Sequence, residues 1–160
     1  MNKTFFTIAI VGILLLARAQ AEEFQVGFAQ LSITPDIIDQ WVDVNDDAQF
    51  DPDIDLWTDV NGNGKFDAVW MAGFQNQRPA QGVKDNLMAV AVVIDDGKNR
   101  IGIVSADTVG LMRKFVLGVR EAVPAELGLD YLMVHATHNH EGPDTQGLWG
   151  PGFFSSGVDP

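Results

Sequence analysis

All three histidines of this chain fall within six positions, in the stretch His135-Ala136-Thr137-His138-Asn139-His140-Glu141-Gly142-Pro143-Asp144. Scattered histidines would rarely cluster so tightly. A catalytic metal asks for neutral imidazole nitrogens on a stiff support, with open coordination left for water or substrate. Just upstream, Tyr131-Leu132-Met133-Val134 is a short apolar, partly β-branched run that predicts a buried strand. In an extended backbone alternate side chains share a face, so His138 and His140 project to one side, about 6.5–7 Å apart. Two imidazoles so placed can converge on one ion. Gly142-Pro143 ends the predicted strand and sets the pair at its carboxyl end, where pockets form. Glu141 and Asp144 add carboxylates able to orient an imidazole. An ordinary surface or core role competes with this reading, and a His-x-His pair does not decide by spacing alone.

The elements that must position the pair can be read in order. Residues 24–33 alternate apolar and polar and predict a strand ended by Thr34-Pro35. Residues 70–74 suggest a short strand, and 75–81, with Arg78-Pro79, a connecting loop. The continuous apolar run 87–94 predicts a buried strand. Asp95-Asp96-Gly97-Lys98-Asn99 then makes a hairpin turn into a second core strand over 100–106. Residues 111–123 carry Leu111, Phe115, Val119 and Ala122 at helical spacing, stopped by Pro124. The order strand, strand, helix, strand predicts an α/β fold, a mixed sheet with packed helices. Asp107 follows a strand and sits either on the rim near His138 or in a turn or helix cap. Arg78, Lys84 and Asp85 are rim candidates with similarly plain alternatives.

Residues 36–69 differ sharply in composition: ten aspartates face a single cation, Lys65. Within them Asp43-Val44-Asn45-Asp46-Asp47-Ala48-Gln49-Phe50-Asp51 and Asp59-Val60-Asn61-Gly62-Asn63-Gly64-Lys65-Phe66-Asp67 match at Asp-Val-Asn and at Phe-Asp. Oxygen side chains recur at positions 1, 3, 5 and 9. That is the spacing of a loop that turns alternate side chains inward onto calcium, with glycine at position 6 for the bend. The second copy predicts ligands Asp59, Asn61, Asn63 and Asp67, with Lys65 through its backbone. The first predicts a weaker set, Asp43, Asn45, Asp47 and Asp51, because Ala48 replaces the glycine. Ile54 and Trp70 stand where an EF-hand has its acidic twelfth residue, so these are shortened loops, similar to dockerin or thrombospondin-type repeats. A solvated acidic loop without an ion leaves the phased Asn, Gly and Phe unexplained.

The first residues are expected to lie outside the fold. Lys3 gives a positive start, residues 5–17 are largely apolar, and Ala19-Gln20-Ala21 is a small-x-small cleavage site. The expectation is a signal peptide over 1–21, a mature domain over 22–160, and a secreted or periplasmic location. The apolar run is shorter than the ~20 residues of a membrane span. Its removal takes Lys3 and Arg18 and no acid, moving the net charge from −12 to −14. So acidic a surface argues against nucleic acid as a partner and for divalent cations or simple solubility. The chain has no cysteine, which excludes disulfides and thiolate zinc sites.

The segment Ala136-Thr137-His138-Asn139-His140-Glu141-Gly142-Pro143-Asp144 resembles the Ala-Thr-His-Thr-His-Ser-Gly-Pro segment of the neutral/alkaline, non-lysosomal ceramidase family. Trp70-Met71-Ala72-Gly73-Phe74 followed by the strand from Gly82-Val83-Lys84-Asp85-Asn86 is similar to that family's Met-Gly-Tyr block and Gly-Val/Ile-His strand. Val104-Ser105-Ala106-Asp107 resembles its Val-Ser-(Ala/Leu)-Asp, and Ser32-Ile33-Thr34-Pro35 the end of its opening strand. The resemblance implies that His138 is a Zn2+ ligand and that His140 lies beside it as a catalytic residue, positioning substrate or stabilising an oxyanion. It implies a later His, Glu and Tyr completing the zinc, a later serine attacking the amide, and a lipid amide such as ceramide as substrate, with association at a membrane surface. The family's histidine in the Gly-Val-His block is Lys84 here. The acidic region 36–69 looks like an insertion relative to the family. No His or Glu follows Glu141, so the expectation is the N-terminal portion of a longer hydrolase, catalytically incomplete alone. Two alternatives stand beside it: a related hydrolase acting on another lipid or ester, and a non-catalytic extracytoplasmic Ca2+-binding module.

Overall fold

A computed structural model describes residues 24–152 and 155–158; the expected signal peptide lies outside them. No described helix is long and apolar enough to cross a membrane. A four-stranded sheet in the order β1-β4-β5-β6 forms the frame. It comprises β1 (Gln25–Ser32), β4 (Met88–Asp95), β5 (Arg100–Ala106) and β6 (Tyr131–Ala136), while β2 (Gln40–Val42) and β3 (Leu56–Thr58) pair separately. The β1/β4 and β4/β5 pairs are antiparallel and β5/β6 is parallel, so the sheet is mixed. One α-helix, α1 (Arg113–Ala122), makes the β5–β6 crossover. The α/β reading holds broadly, but the molecule is mostly sheet and has one α-helix among its described residues where several were expected.

The hairpin follows from turn chemistry. Gly97 takes a left-handed φ of +84°, open to it because it lacks a Cβ. Asp95 Oδ1 accepts the Gly97 amide at 2.8 Å, and Asp96 Oδ1 accepts the amides of Lys98 and Asn99 at 2.9 and 2.7 Å. The α1 crossover ends at Ala122 before Pro124, which cannot continue a helix. Arg120 ties it to the sheet: Nε donates to the Leu132 carbonyl at 2.8 Å and Nη2 to the Tyr131 hydroxyl at 2.9 Å.

Two strand readings need correction. The strands expected to be buried on both faces are not. Every β4 residue is half-buried, and β6 alternates between buried Leu132 and exposed Tyr131 and Met133. The register places Val26, Phe28, Val92, Ile94, Ile101, Ile103, Tyr131 and Met133 on one face. That face is open, with Phe28 79% and Val26 62% exposed; α1 lies at the β6 end of the sheet, by way of Arg120. Residues 70–74 form no strand; Trp70 and Met71 make single antiparallel bridges to Pro79 and Pro143, because the chain turns at once through Gly73 (φ +110°).

The acidic region 36–69 holds a repeat longer than its loops. Asp39-Gln40-Trp41-Val42-Asp43-Val44-Asn45 and Asp55-Leu56-Trp57-Thr58-Asp59-Val60-Asn61 are identical at five of seven positions. Each supplies one strand of the β2/β3 pair, with Trp41 directly opposite Trp57, and Phe50 stacks on Phe66 with centroids 4.0 Å apart. The two buried aspartates act crosswise. Asp39, 1% exposed, accepts the amides of Val60 and Asp67 at 2.9 and 2.7 Å. Asp55 accepts those of Val44 and Asp51 at 2.9 and 2.8 Å. Each repeat therefore caps the other's loop. The loops also share a backbone shape: positions 4 and 6 have positive φ in both, as Asp46 (58°) and Ala48 (60°) and as Gly62 (72°) and Gly64 (77°). Ala48 thus adopts the bend that seemed to require glycine.

Candidate functional site

The candidate site forms where the parallel strands β5 and β6 end side by side. Beyond Ala136 the chain stays fastened to the β5 exit: the Thr137 amide donates to Ala106 O at 2.9 Å and the His138 amide to Thr108 O at 3.0 Å. The strand stops there, six residues before Gly142-Pro143, where the sequence had placed its end. His138 takes a left-handed φ of +64°, uncommon for a residue with a side chain. The two histidines therefore do not alternate along an extended strand. The kink brings them closer than extension would, with ring centroids 5.0 Å apart and Nε2 3.4 Å from Nε2.

His138 Nδ1 lies 2.7 Å from the Val109 carbonyl. A carbonyl only accepts, so Nδ1 carries the proton and, in the neutral ring, Nε2 keeps its lone pair. The His140 ring is fixed on several sides. It packs against Gly73 so closely that a Cβ there would fall 2.4 Å from His140 Cγ. Phe74 meets it edge-on at 5.3 Å between centroids. Arg78 lies beneath Phe74, Cζ 5.0 Å from the ring centroid, and its Nη2 donates to the carbonyls of Ala72 and His140 at 2.7 and 2.8 Å. The Ala72 amide donates to Gly142 O and the Asp144 amide to Trp70 O, which sews residues 70–72 to the histidine loop.

The carboxylates expected to orient an imidazole do otherwise. Glu141 is exposed and faces Arg78 Nη1 at 3.5 Å. Asp144, 4% exposed, accepts the amides of Gln146, Gly147, Trp149 and Gly157 and so shapes the loop that follows. Asp107 does not reach His138; its carboxylate accepts the Met88 amide at 2.9 Å and the Thr137 hydroxyl at 3.2 Å, fastening the start of β4 to the end of β6. His135 is exposed on β6, its Nδ1 3.2 Å from the Ala136 carbonyl. Lys84 and Asp85 lie with Asn139 and Glu141 around a cleft of about 600 Å³, whose apolar wall includes Ile37, Val69, Met71, Val83 and Leu87. Sequence reasoning gave no role to Gly73 or Phe74; a glycine followed by an aromatic in the Met71-Ala72-Gly73-Phe74 block was the available signal.

In the second acidic loop the side chains at positions 1, 3, 5 and 9 turn inward. Asp59 accepts the amides of Gly62, Asn63 and Gly64, and Asp67 Oδ2 receives Nδ2 of both Asn61 and Asn63 at 2.6 Å. Asn63 Oδ1 accepts the Lys65 amide at 2.8 Å. In the first loop Asp43 accepts the amides of Asp47 and Ala48, and Asn45 donates to Asp47 at 2.9 Å, but Asp51 Oδ1 is turned to the Asp53 amide. Among the described residues no three His, Cys, Asp or Glu side chains gather as a metal group: the second loop interleaves its carboxylates with asparagines, and the histidine pair contributes two donors. No family model, curated protein or solved structure matches the chain.

Proposed function

We propose that this chain carries the histidine segment of an exported, zinc-dependent amidohydrolase of ceramidase type, which hydrolyses the N-acyl bond of a ceramide-like lipid amide to a fatty acid and a sphingoid amine. The observation that carries the reading is the 3.4 Å between the Nε2 atoms of His138 and His140. At that separation a Zn2+ held by His138 Nε2 would lie beside the His140 imidazole. The Nδ1–H bond from His138 to the Val109 carbonyl supplies the orienting contact that metal-binding histidines use. The apolar wall of the neighbouring cleft suits an acyl chain. When bound, zinc lowers the pKa of a water or hydroxyl and polarises the acyl oxygen. His138 Nε2 would hold the ion, and His140, beside it but not coordinated, would keep its Nε2 free to move a proton between the attacking oxygen and the departing amine. The resemblance assigns the remaining ligands to a later His, Glu and Tyr and the attack to a later serine.

The acidic insertion, in this reading, is a calcium-stabilised structural element, its second loop fitting the ion better than its first. His138→Ala in the whole protein should abolish ceramide hydrolysis and bound zinc while leaving a calcium-induced rise in melting temperature intact. Full turnover by that variant would refute the zinc role. A melting temperature indifferent to calcium would refute the loop assignment.

A further inference from the structure

We infer that Arg78 is a positioning residue for His140, acting through the His140 carbonyl and through Phe74 to set the direction in which the imidazole faces His138. The inference rests on the reading of the two histidines as the working pair. Arg78 is a surface residue by type yet its side chain is only 13% exposed, and Nε is buried without a hydrogen-bond partner. Burying a guanidinium that incompletely bonded is costly, so its place is held by what the remaining atoms do. Nη2 uses its two hydrogens on two carbonyls, Ala72 from one segment and His140 from another far away in the chain. The same cation lies under the Phe74 ring, and Phe74 in turn meets the His140 ring. Arg78 therefore reaches His140 by two routes, its backbone and its aromatic neighbour. Only the planar fork of arginine serves both; a lysine ammonium is a point charge that cannot also lie flat against a ring.

A loop staple and a positioning residue differ in what they move. The chain holds three histidines, so the ring protons of His135, His138 and His140, read by NMR in histidine-labelled protein, report position and folding together. Arg78→Lys keeps the charge and one hydrogen bond. It should shift the His140 ring resonances, with His138 following to a lesser extent and His135 unchanged, and Arg78→Met should enlarge the same displacement. His140 resonances that stay in place in Arg78→Lys would overturn the inference. If Arg78→Met collapses all three signals to unfolded positions, Arg78→Lys decides alone, and a collapse there too would make Arg78 a general support of the fold and overturn the inference as well. Titrating zinc into the unmodified whole protein, which carries the later ligands the hydrolase reading requires, separates the two readings. If zinc leaves His138 and His140 undisturbed the hydrolase reading fails, while the coupling of Arg78 to His140 stands or falls on the variants.

Discussion

Gly73→Ala tests whether the histidine pair is held by packing. At this position φ is +110°, a region that costs a residue with a Cβ about 1–3 kcal/mol. The added carbon would also lie 2.4, 2.5 and 2.7 Å from Cγ, Cβ and Nδ1 of His140. Carbon contacts settle near ~3.5–4.0 Å, so the ring must retreat by about 1 Å or the backbone must shift, and overpacking of this kind costs a further ~1–3 kcal/mol. The sum, roughly 2–6 kcal/mol, should lower the urea midpoint by about 1–3 M at an m-value of about 2 kcal/mol/M for a chain this size. Gly62→Ala is the control: φ is +72° and nothing lies within 4 Å of the added carbon, leaving only the backbone penalty of ~1–2 kcal/mol. Equal losses in the two variants, within about 0.5 kcal/mol, would show that the His140 ring is not packed against Gly73 and would refute the reasoning.

Two further outcomes follow from the carboxylates. Asp39→Asn replaces one of two acceptor oxygens with a donor facing the Val60 or Asp67 amide, and should cost about 2–4 kcal/mol. By hydrogen exchange it should expose those amides in the second loop first, while Asp55→Asn does the same to Val44 and Asp51 in the first; loss confined to each aspartate's own repeat would contradict the crosswise capping. The pH dependence centres on the β4/β5 turn. The Gly97 amide, followed by Arg100, holds the Asp95 carboxyl below its ordinary value, and the amides of Asn99 and Lys98 do the same for Asp96. A lowered folded pKa gives stability that is present above the ordinary value of ~3.9 and is lost as pH falls below it toward the folded value. The urea midpoint of the native chain should therefore exceed that of Asp95→Asn/Asp96→Asn at about pH 6 and converge on it as pH falls through the lowered folded values; parallel curves would remove the turn from the acid response.

Periodicity carried the frame of the fold. The alternation in β1, the apolar run of β4, the Asp-Asp-Gly turn and the break at Pro124 lie within a few residues of where local chemistry puts them. Burial was less legible, because a continuous apolar run looks the same whether its second face is covered or bare, and among the described residues Val26 and Phe28 on that face stay largely exposed. The β2/β3 pair was missed because two three-residue strands are too short for a periodic signal. The repeated Trp41 and Trp57, flanked by Asp39 and Asp55, marked it. At the histidines, alternation predicted the right neighbours by a wrong geometry: they meet because His138 adopts a left-handed backbone, a conformation no spacing rule anticipates for histidine.

What spacing could least reveal is that the acidic region and the histidines share a support. The Phe50 amide of the first loop donates to Gln77 O at 2.7 Å, Gln75 Nε2 reaches Asp47 O at 3.2 Å, and Phe66 meets Trp70 edge-on. Gln77, itself at φ +62°, directly precedes Arg78, whose guanidinium holds the His140 carbonyl. The first loop is in turn closed by Asp55 from the second repeat. A continuous set of hydrogen bonds and ring contacts thus runs from the interlocked repeats, through residues 75–78, to His140. Because the repeats cap each other, neither loop can loosen alone without exposing buried aspartate or amide groups. The acidic region between β1 and the histidine segment is therefore built into the wall against which His140 rests.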